Sequence, residues 1–362
     1  MDTSFYIDPD IRKAETLPAS FYRDETVFKA LKEKVFQRSW HWLGDIELLA
    51  GDATASPFEL LPGFLSEPLV LTRDEDEKLH LLSNVCTHRG NQVVLHPGKH
   101  RKLICGYHGR RFGLAGAFEH MPEFDTAEDF PRPCDNLPEL GLRKWGRFLL
   151  GSLAPGVDID RVLEHIDQRV GFLPLEDFRF RADLSKDYLV HAHWALYCDN
   201  YLEGFHIPFV HEGLNAVLDY GSYETVIFED CNLQIGYADS ATEVFDLPKG
   251  HIDHGKQVAA YYFWVFPNLM LNFYPWGLSV NVVQPQAQSR TKVSFLSYVL
   301  DPSKLEQGAG AALEKVERED EFVVELVQKG VRSSLYKSGR FSPTREQGVH
   351  HFHRLLASYL AK

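Results

Sequence analysis

The sequence predicts an α+β chain: a small antiparallel β domain followed by a larger α+β domain that encloses a pocket. Three observations carry that expectation. Between Gly44 and Leu153, short apolar runs (EPLVLTR, KLHLLSN, RKLICGY, RFLLGSL) are punctuated by Gly, Pro, Asn and Asp, the texture of short strands and turns. Pro155 and Gly156 then mark a boundary before the helical stretch IDRVLEHIDQRV. Beyond it, a second series of strand-like runs leads into one long amphipathic stretch, and sheet plus long helix is an α+β arrangement.

The elements follow in order. DETVFKALKEKVFQRSW places Val27, Phe28, Leu31, Val35 and Phe36 on one side, which predicts a helix from Asp24 to Trp40 with Asp24 as its N-cap. Residues 1–43 are expected to form an N-terminal helical segment packed on the larger domain, 44–155 the small β domain and 156–362 the larger one. In the larger domain DYLVHAHWALY, VAAYYFWVF, LMLNFYPW, LSVNVVQP and TKVSFLSYVL read as strands, and a helix is expected from about Gly310 to Gly330. There is no internal repeat or low-complexity segment.

Composition narrows the function. With 362 residues and 44% hydrophobic side chains the chain can bury one large core or two modest ones. Its 38 basic and 51 acidic residues give a net charge of -13, which argues against nucleic-acid binding because neutralising phosphates needs basic surface. No run of 18 apolar residues occurs, so no bilayer span is expected. The N-terminus lacks the basic-then-apolar layout of a signal peptide, so a cytoplasmic location is expected. Five cysteines in a reducing compartment make a poor disulfide framework. Cys134, Cys198 and Cys231 have no His or Cys at ligand spacing and are expected to be small buried hydrophobes, and His96 and His100 to lie on loop surface.

Cys86 and Cys105 are different. NVCTHRGNQVVLHPGKHRKLICGYHGRRFG contains Cys86-x-His88, sixteen intervening residues, then Cys105-x-x-His108. Two short loops, each with one thiolate and one imidazole, can close on one metal centre, and Gly90, Gly106 and Gly109 supply backbone freedom. Tetrahedral zinc accepts two Cys and two His, but its common spacing pairs like with like. Mixed loops suit a two-iron cluster in which the two Cys hold one iron and the two His the other. This segment resembles the Rieske domain, over about residues 44–153. Asn91 and Tyr107 stand where respiratory Rieske proteins carry a disulfide, so the loops resemble the oxygenase type. Gly106 and Arg110 depart from the Pro and Trp usual there.

A second cluster lies in CDNYLEGFHIPFVHEG, where Glu203-x-x-His206 is followed by His211. Positions three apart share a helix face, so Glu203 and His206 can touch. Pro208 forces the chain out of regular helix, letting His211 return toward the same metal. Two His leave iron short of the carboxylate that completes a non-haem Fe(II) facial triad. In AALEKVEREDEFVVELVQKG, Leu313, Val316, Val323 and Val327 form an apolar stripe that contains Asp320. A carboxylate there needs a cation. Glu317 is the runner-up, and Glu319 and Glu321 fall on flanks expected to be solvated. With Asn200-Tyr-Leu before it, the Glu203–His211 segment resembles the mononuclear iron motif of Rieske non-haem iron oxygenases, and the resemblance runs from about 156 to the C-terminus.

The resemblance implies a helix-grip (START/SRPBCC-like) catalytic domain, a Rieske 2Fe-2S cluster on Cys86, His88, Cys105 and His108, and mononuclear Fe(II) on His206, His211 and Asp320. Glu203, with Asn200, falls to the catalytic set: Glu203 occupies the place of an acidic bridge to a Rieske His of a neighbouring subunit, matching His108, and so implies a ring, most simply a homotrimer. O2 is the co-substrate. No GxGxxG opens a helix after a strand, so NAD(P)H and flavin belong to a separate reductase or ferredoxin. Such a partner is expected to dock on Arg89, Lys99, Arg101, Lys102, Arg110 and Arg111, a stretch without acidic residues. Tyr261, Tyr262, Trp264, Phe266, Phe273, Tyr274 and Trp276 offer an aromatic pocket, about half of them facing inward, with Phe205 and Phe209 beside the iron ligands. Whole-chain similarity lies nearest the choline-monooxygenase and carnitine-oxygenase-like branch, which implies monohydroxylation or N-dealkylation of a small amine. The alternatives are an aromatic ring-hydroxylating dioxygenase and, more remotely, a Rieske electron-transfer protein, a ligand carrier or a zinc-stabilised module.

Overall fold

The computed structural model describes residues 4–211, 213, 220–238, 244–305 and 313–362. The chain divides into two compact units, Gln37–Gly156 and the pair of segments Met1–Phe36 with Val157–Lys362.

The unit 37–156 is built on three small antiparallel sheets. Strands β1 (His41–Asp45), β9 (Phe148–Ser152) and β8 (Gly141–Trp145) form the first, in the order β1-β9-β8. Strands β2 (Ala55–Leu60), β3 (Glu67–Arg73) and β4 (Leu79–Ser83) form the second. The third consists of β5 (Leu103–Ile104), β6 (Arg111–Phe112) and β7 (Phe118–His120). Inward-facing Val70, Leu82, Val93, Leu103, Phe112 and Leu137 make one core cluster, and Cys86 and Cys105 belong to it. Both candidate metal-binding loops thus leave from the edge of packed hydrophobic structure, which limits their movement.

The other unit carries α1 (Ala19–Arg23), α2 (Glu25–Lys34) and α3 (Ile159–Val170). The Asp24 carboxylate accepts from Thr26 N at 2.7 Å and caps α2 as expected, but the helix stops at Lys34 and Phe36–Arg38 form a 3-10 turn. An eight-stranded antiparallel sheet follows, of β10 (Arg179–Phe180), β11 (Lys186–Val190), β12 (Glu224–Ile227), β13 (Cys231–Tyr237), β14 (Val258–Val265), β15 (Leu269–Tyr274), β16 (Gly277–Ala287) and β17 (Arg290–Val299). Its order is β10-β17-β16-β15-β14-β13-β12, with β11 also paired to β17. The helices are α4 (Trp194–Tyr201), α5 (Ile207–Val210), α6 (Leu313–Gly330) and α7 (Gln347–Ala361).

Three local expectations are corrected. DYLVHAHWALY is not one strand: pairing ends at Val190, and α4 begins at Trp194, where the His193 ring accepts from Ala195 N. A buried imidazole acceptor at an N-cap overrides the β-propensity of the aromatic run. Pro208 sits in the first turn of α5, where a missing N–H is harmless, so it starts a helix as well as following a break. On α6 the buried line runs through Val324 and Gln328 and continues to Val331 just past its end, whereas Val327 is 43% exposed. The part of the expected helix at 310–312 lies outside the described residues. Among the described residues no helix is long and apolar enough to cross a membrane.

Candidate active site

The two Rieske-type loops are built alike. Cys86 O accepts from Gly90 N at 3.0 Å and Cys105 O from Gly109 N at 3.0 Å. The closing glycines have φ of 73° and 72°, the left-handed region that a Cβ disfavours. His88 and His108 meet edge-on with ring centroids 4.8 Å apart, and Tyr107 stacks on His108 at 3.7 Å. The Asn91 amide donates to Cys105 Sγ at 3.6 Å. Burial pushes both thiols up, but at Cys105 the amides of Tyr107, His108 and Asn91, with Cys86, more than reverse this, so its pKa falls while that of Cys86 rises. A buried thiol pair beside two imidazoles, with His108 Nδ1 buried and lacking a hydrogen-bond partner, is a donor set that fits a cluster with mixed ligands.

Asp135 ties the loops together. Its carbonyl accepts from Thr87 Oγ1 of the first loop and from Arg110 Nη2 beyond the second, and its carboxylate pairs with Arg110 at 2.8 Å. Arg110 is only 2% exposed, and its guanidinium lies over the rings of Phe112, Phe118 and Phe130. The expected surface patch therefore loses Arg110, which fills an internal site. Lys99 and Lys102 also have acidic partners, Asp52 and Glu119, which are close in space but distant in sequence. Cys134, expected to be buried, is exposed in the turn beside Asp135, while Cys198 and Cys231 are buried.

In the larger unit, His206, His211 and Asp320 bring one ligand atom each to within 4.8 Å of one another. The placement comes from three elements. Glu203 follows α4, His206 caps α5, His211 ends it, and Asp320 stands midway along α6. Asp320 Oδ1 lies 3.0 Å from His211 Nε2 and 3.5 Å from His206 Nε2. Each outer nitrogen meets a different carboxylate: His206 Nδ1 is 2.7 Å from Glu203 and His211 Nδ1 is 2.8 Å from Glu319. A carboxylate cannot donate, so both Nδ1 atoms carry the proton and both Nε2 atoms aim at the common point. Burial lowers the His211 pKa, but Asp320 and Glu319 more than offset this, and the net shift is upward. A divalent cation would take the place of that Nε2 proton, so two imidazoles and one carboxylate fit the facial triad of non-haem iron.

Glu203 also receives the backbone N–H groups of Phe205 and His206, which fixes the turn. Glu319 was expected on a solvated flank; the structure instead puts its carboxylate on His211, because α5 lies near enough for the longer arm to reach. Glu317 does not join the three candidate ligands. It accepts from Tyr197 Oη at 2.7 Å, and burial with the nearby Asp320 charge pushes its carboxyl well above the ordinary range.

The three candidate ligands open onto a cavity of about 100 Å³ between α4, α6 and the sheet. Asn200, Glu203 and Glu317 line it together with Tyr197, Tyr201, Tyr223, Tyr262 and Tyr274. Of the seven aromatics expected there, Tyr262 and Tyr274 reach the wall. Tyr261 points the other way to Asp253, and Trp264, Phe266, Phe273 and Trp276 are core. Phe205 and Phe209 are exposed, Phe209 by 81%. Polar Gln234, Asn272, Ser279 and Asn281 complete the wall at alternating strand positions, which inspection of aromatic runs alone missed.

Comparison with known proteins agrees with this arrangement. The Rieske 2Fe-2S domain family matches residues 58–131, and the ring hydroxylating alpha subunit (catalytic domain) family matches residues 175–362. The chain is 31% identical to the chloroplastic choline monooxygenase of Arabidopsis thaliana, over 96% of this chain and 84% of that one. It is 28% identical to the carnitine monooxygenase oxygenase subunit of Escherichia coli (strain K12), over 96% and 94% respectively. The fold is shared with the crystal structure of the quaternary ammonium Rieske monooxygenase CntA in complex with an inhibitor (TM-score 0.75, 24% identity, 97% of this chain and 96% of that one). It is also shared with a naphthalene 1,2-dioxygenase bound to phenanthrene (TM-score 0.72, 14% identity, 100% and 96%). The chain therefore belongs to the alpha subunits of the Rieske non-haem iron oxygenases, oxidoreductases among which choline monooxygenase and the carnitine monooxygenase CntA are its relatives.

Proposed function

We propose that this oxygenase uses O2 and externally supplied electrons to hydroxylate, or oxidatively N-dealkylate, a small quaternary or tertiary amine. Residues 37–156 serve as the Rieske domain, which starts before the expected residue 44 because β1 pairs with β9, and 157–362 as the catalytic domain, which 1–36 joins. Cys86, His88, Cys105 and His108 would hold the 2Fe-2S cluster, and His206, His211 and Asp320 the ferrous ion. When bound, the cluster relays single electrons and the ferrous ion activates O2 for insertion into a C–H bond. Around them, Glu203 and Glu319 orient the two imidazoles by holding their Nδ1 protons, and the tyrosine walls hold the substrate.

One observation carries the reading: the His206–His211–Asp320 convergence forms part of the wall of a cavity faced by five tyrosines. Tyrosine faces attract an ammonium ion through their quadrupoles. The likeness to choline and carnitine monooxygenases supports the same substrate class. Glu203 then relays electrons between His206 and the His108 of a neighbouring copy, in a homotrimer, and Asn200 completes its surroundings. A separate ferredoxin or flavin reductase, fed by NAD(P)H, docks on the exposed basic side chains of Arg89, Arg101 and Arg111 with Lys99 and Lys102.

The test is O2 uptake coupled to product identification over panels of amines and aromatics, with wild type and His206→Ala. Hydroxylated or dealkylated amine from wild type, none from the variant, and an unchanged cluster spectrum are expected. Turnover of aromatics to cis-diols alone would replace this reading with ring dihydroxylation.

A further inference from the structure

Among the described residues three carboxylates border the cavity, and two of them are committed. Glu203 is held by the His206 ring and two backbone amides, and Asp320 is shared by two imidazoles. Glu317, one turn before Asp320 on α6, takes only the Tyr197 hydroxyl at 2.7 Å. A carboxylate at a shielded cavity wall with no cationic partner carries an uncompensated desolvation cost. No Lys or Arg lines the cavity among the described residues. Residues 212, 214–219, 239–243 and 306–312, outside those described, contain no Lys or Arg in the sequence either.

The cavity thus offers a buried carboxyl group whose ionised form lacks a cationic partner, beside the side chains of Tyr201, Tyr223, Tyr262 and Tyr274, but among the described residues no basic side chain to meet an anionic group. Resting on the amine reading above, we infer that the substrate is a small ammonium ion without an anionic substituent, selected by Glu317 backed by Tyr197. The substrate's cationic nitrogen replaces the missing partner of Glu317, and its neutral end meets the Asn272, Ser279 and Asn281 amide and hydroxyl groups. A zwitterion such as carnitine would bring a carboxylate toward Glu317 with nothing basic to hold it, which repulsion and desolvation both oppose.

Three probes separate the possibilities: choline, carnitine, and 3,3-dimethylbutan-1-ol, the uncharged carbon isostere of choline. Their dissociation constants are measured by anaerobic calorimetry on the iron-loaded holoprotein, wild type, Glu317→Gln and Tyr197→Phe. In wild type, choline is expected to bind at least about tenfold more tightly than either of the others. Glu317→Gln keeps the side-chain shape and an acceptor for Tyr197. It should weaken choline about 10- to 100-fold while leaving the isostere unchanged, and Tyr197→Phe should weaken choline by less. The cluster absorbance of each variant reports folding. Equal binding of carnitine and choline, or an unchanged choline-to-isostere ratio in Glu317→Gln, overturns the inference while leaving the amine reading intact. Failure of every amine to bind, with an aromatic such as indole binding instead, overturns both.

Discussion

Replacing Glu319 with alanine isolates the least anticipated contact at the candidate iron site. Glu319 Oε2 lies 2.8 Å from Nδ1 of His211, a residue only 1% exposed. Truncation leaves a buried N–H without its acceptor, which costs about 1–3 kcal/mol. Partners on the outer nitrogen of a ligand His typically change metal affinity about 10- to 100-fold, or roughly 1.4–2.8 kcal/mol, so the two arguments agree. Glu319→Ala should therefore weaken Fe(II) binding by one to two orders of magnitude, and Glu319→Gln, which keeps an acceptor, by less. Lys315 lies 3.7 Å from the other Glu319 oxygen and is largely exposed, so Lys315→Ala should change affinity by less than about 0.5 kcal/mol. The assay is anaerobic competition between the iron-depleted centre and a chelator of known affinity, with cluster absorbance as internal control. Wild-type affinity in Glu319→Ala, or loss of the cluster in that variant, would refute the reasoning.

Three further outcomes follow from the packing. Arg110→Ala should cost about 3–5 kcal/mol in chemical denaturation followed by cluster absorbance, because it leaves Asp135 buried without its guanidinium partner and removes the group packed on Phe112, Phe118 and Phe130; a loss under about 1 kcal/mol would contradict that anchor. Gly348→Ala would put a Cβ 2.3 Å from the Leu202 carbonyl, next to Glu203, so it should destabilise by about 1–3 kcal/mol and weaken Fe(II) binding together. An unchanged melting temperature would show that the contact relaxes freely. Burial raises the Asp253 carboxyl, but Arg169, Lys256 and Tyr261 outweigh it and hold the pKa below the ordinary value. A depressed carboxyl stabilises the fold above its unfolded pKa of about 3.9 and loses that contribution as pH falls through the folded value. The stability difference between wild type and Asp253→Asn should stay level from pH 7 to about 4 and shrink below it; a difference that shrinks at neutral pH would contradict the ion-pair origin.

The particular residues explain what could be read from sequence and what could not. Cys86, His88, Cys105 and His108 were legible because short-range spacing and glycine placement define the two loops almost without tertiary help. Asp320 was legible by a tertiary argument, a charge amid apolar periodicity, although the buried line passes through Val324 instead of Val323 and Val327. Glu319 was not legible. Adjacent helix residues diverge by about 100°, and only the closeness of α5 lets the longer side chain reach back. Tyr197 was hidden because DYLVHAHWALY alternates like a strand, while a buried His193 at the N-cap starts α4 there. Tyr223 and Gln234 lie outside the aromatic runs, and which strand face they occupy depends on pairing register, a non-local property. Arg110 looked like surface charge because nothing nearby in sequence announces Asp135, twenty-five residues on.

The central claim is that one chain carries a two-iron cluster and a separate ferrous centre held by His206, His211 and Asp320. Its most direct test is iron and acid-labile sulfide analysis of wild type beside the His206→Ala, His211→Ala double variant, each with its reduced-state paramagnetic resonance spectrum. About three irons and two sulfides per wild-type chain, falling to two and two in the variant with an unaltered cluster signal, is the predicted result. Loss of sulfide and cluster signal in the variant, or zinc without sulfide in the wild type, would contradict it.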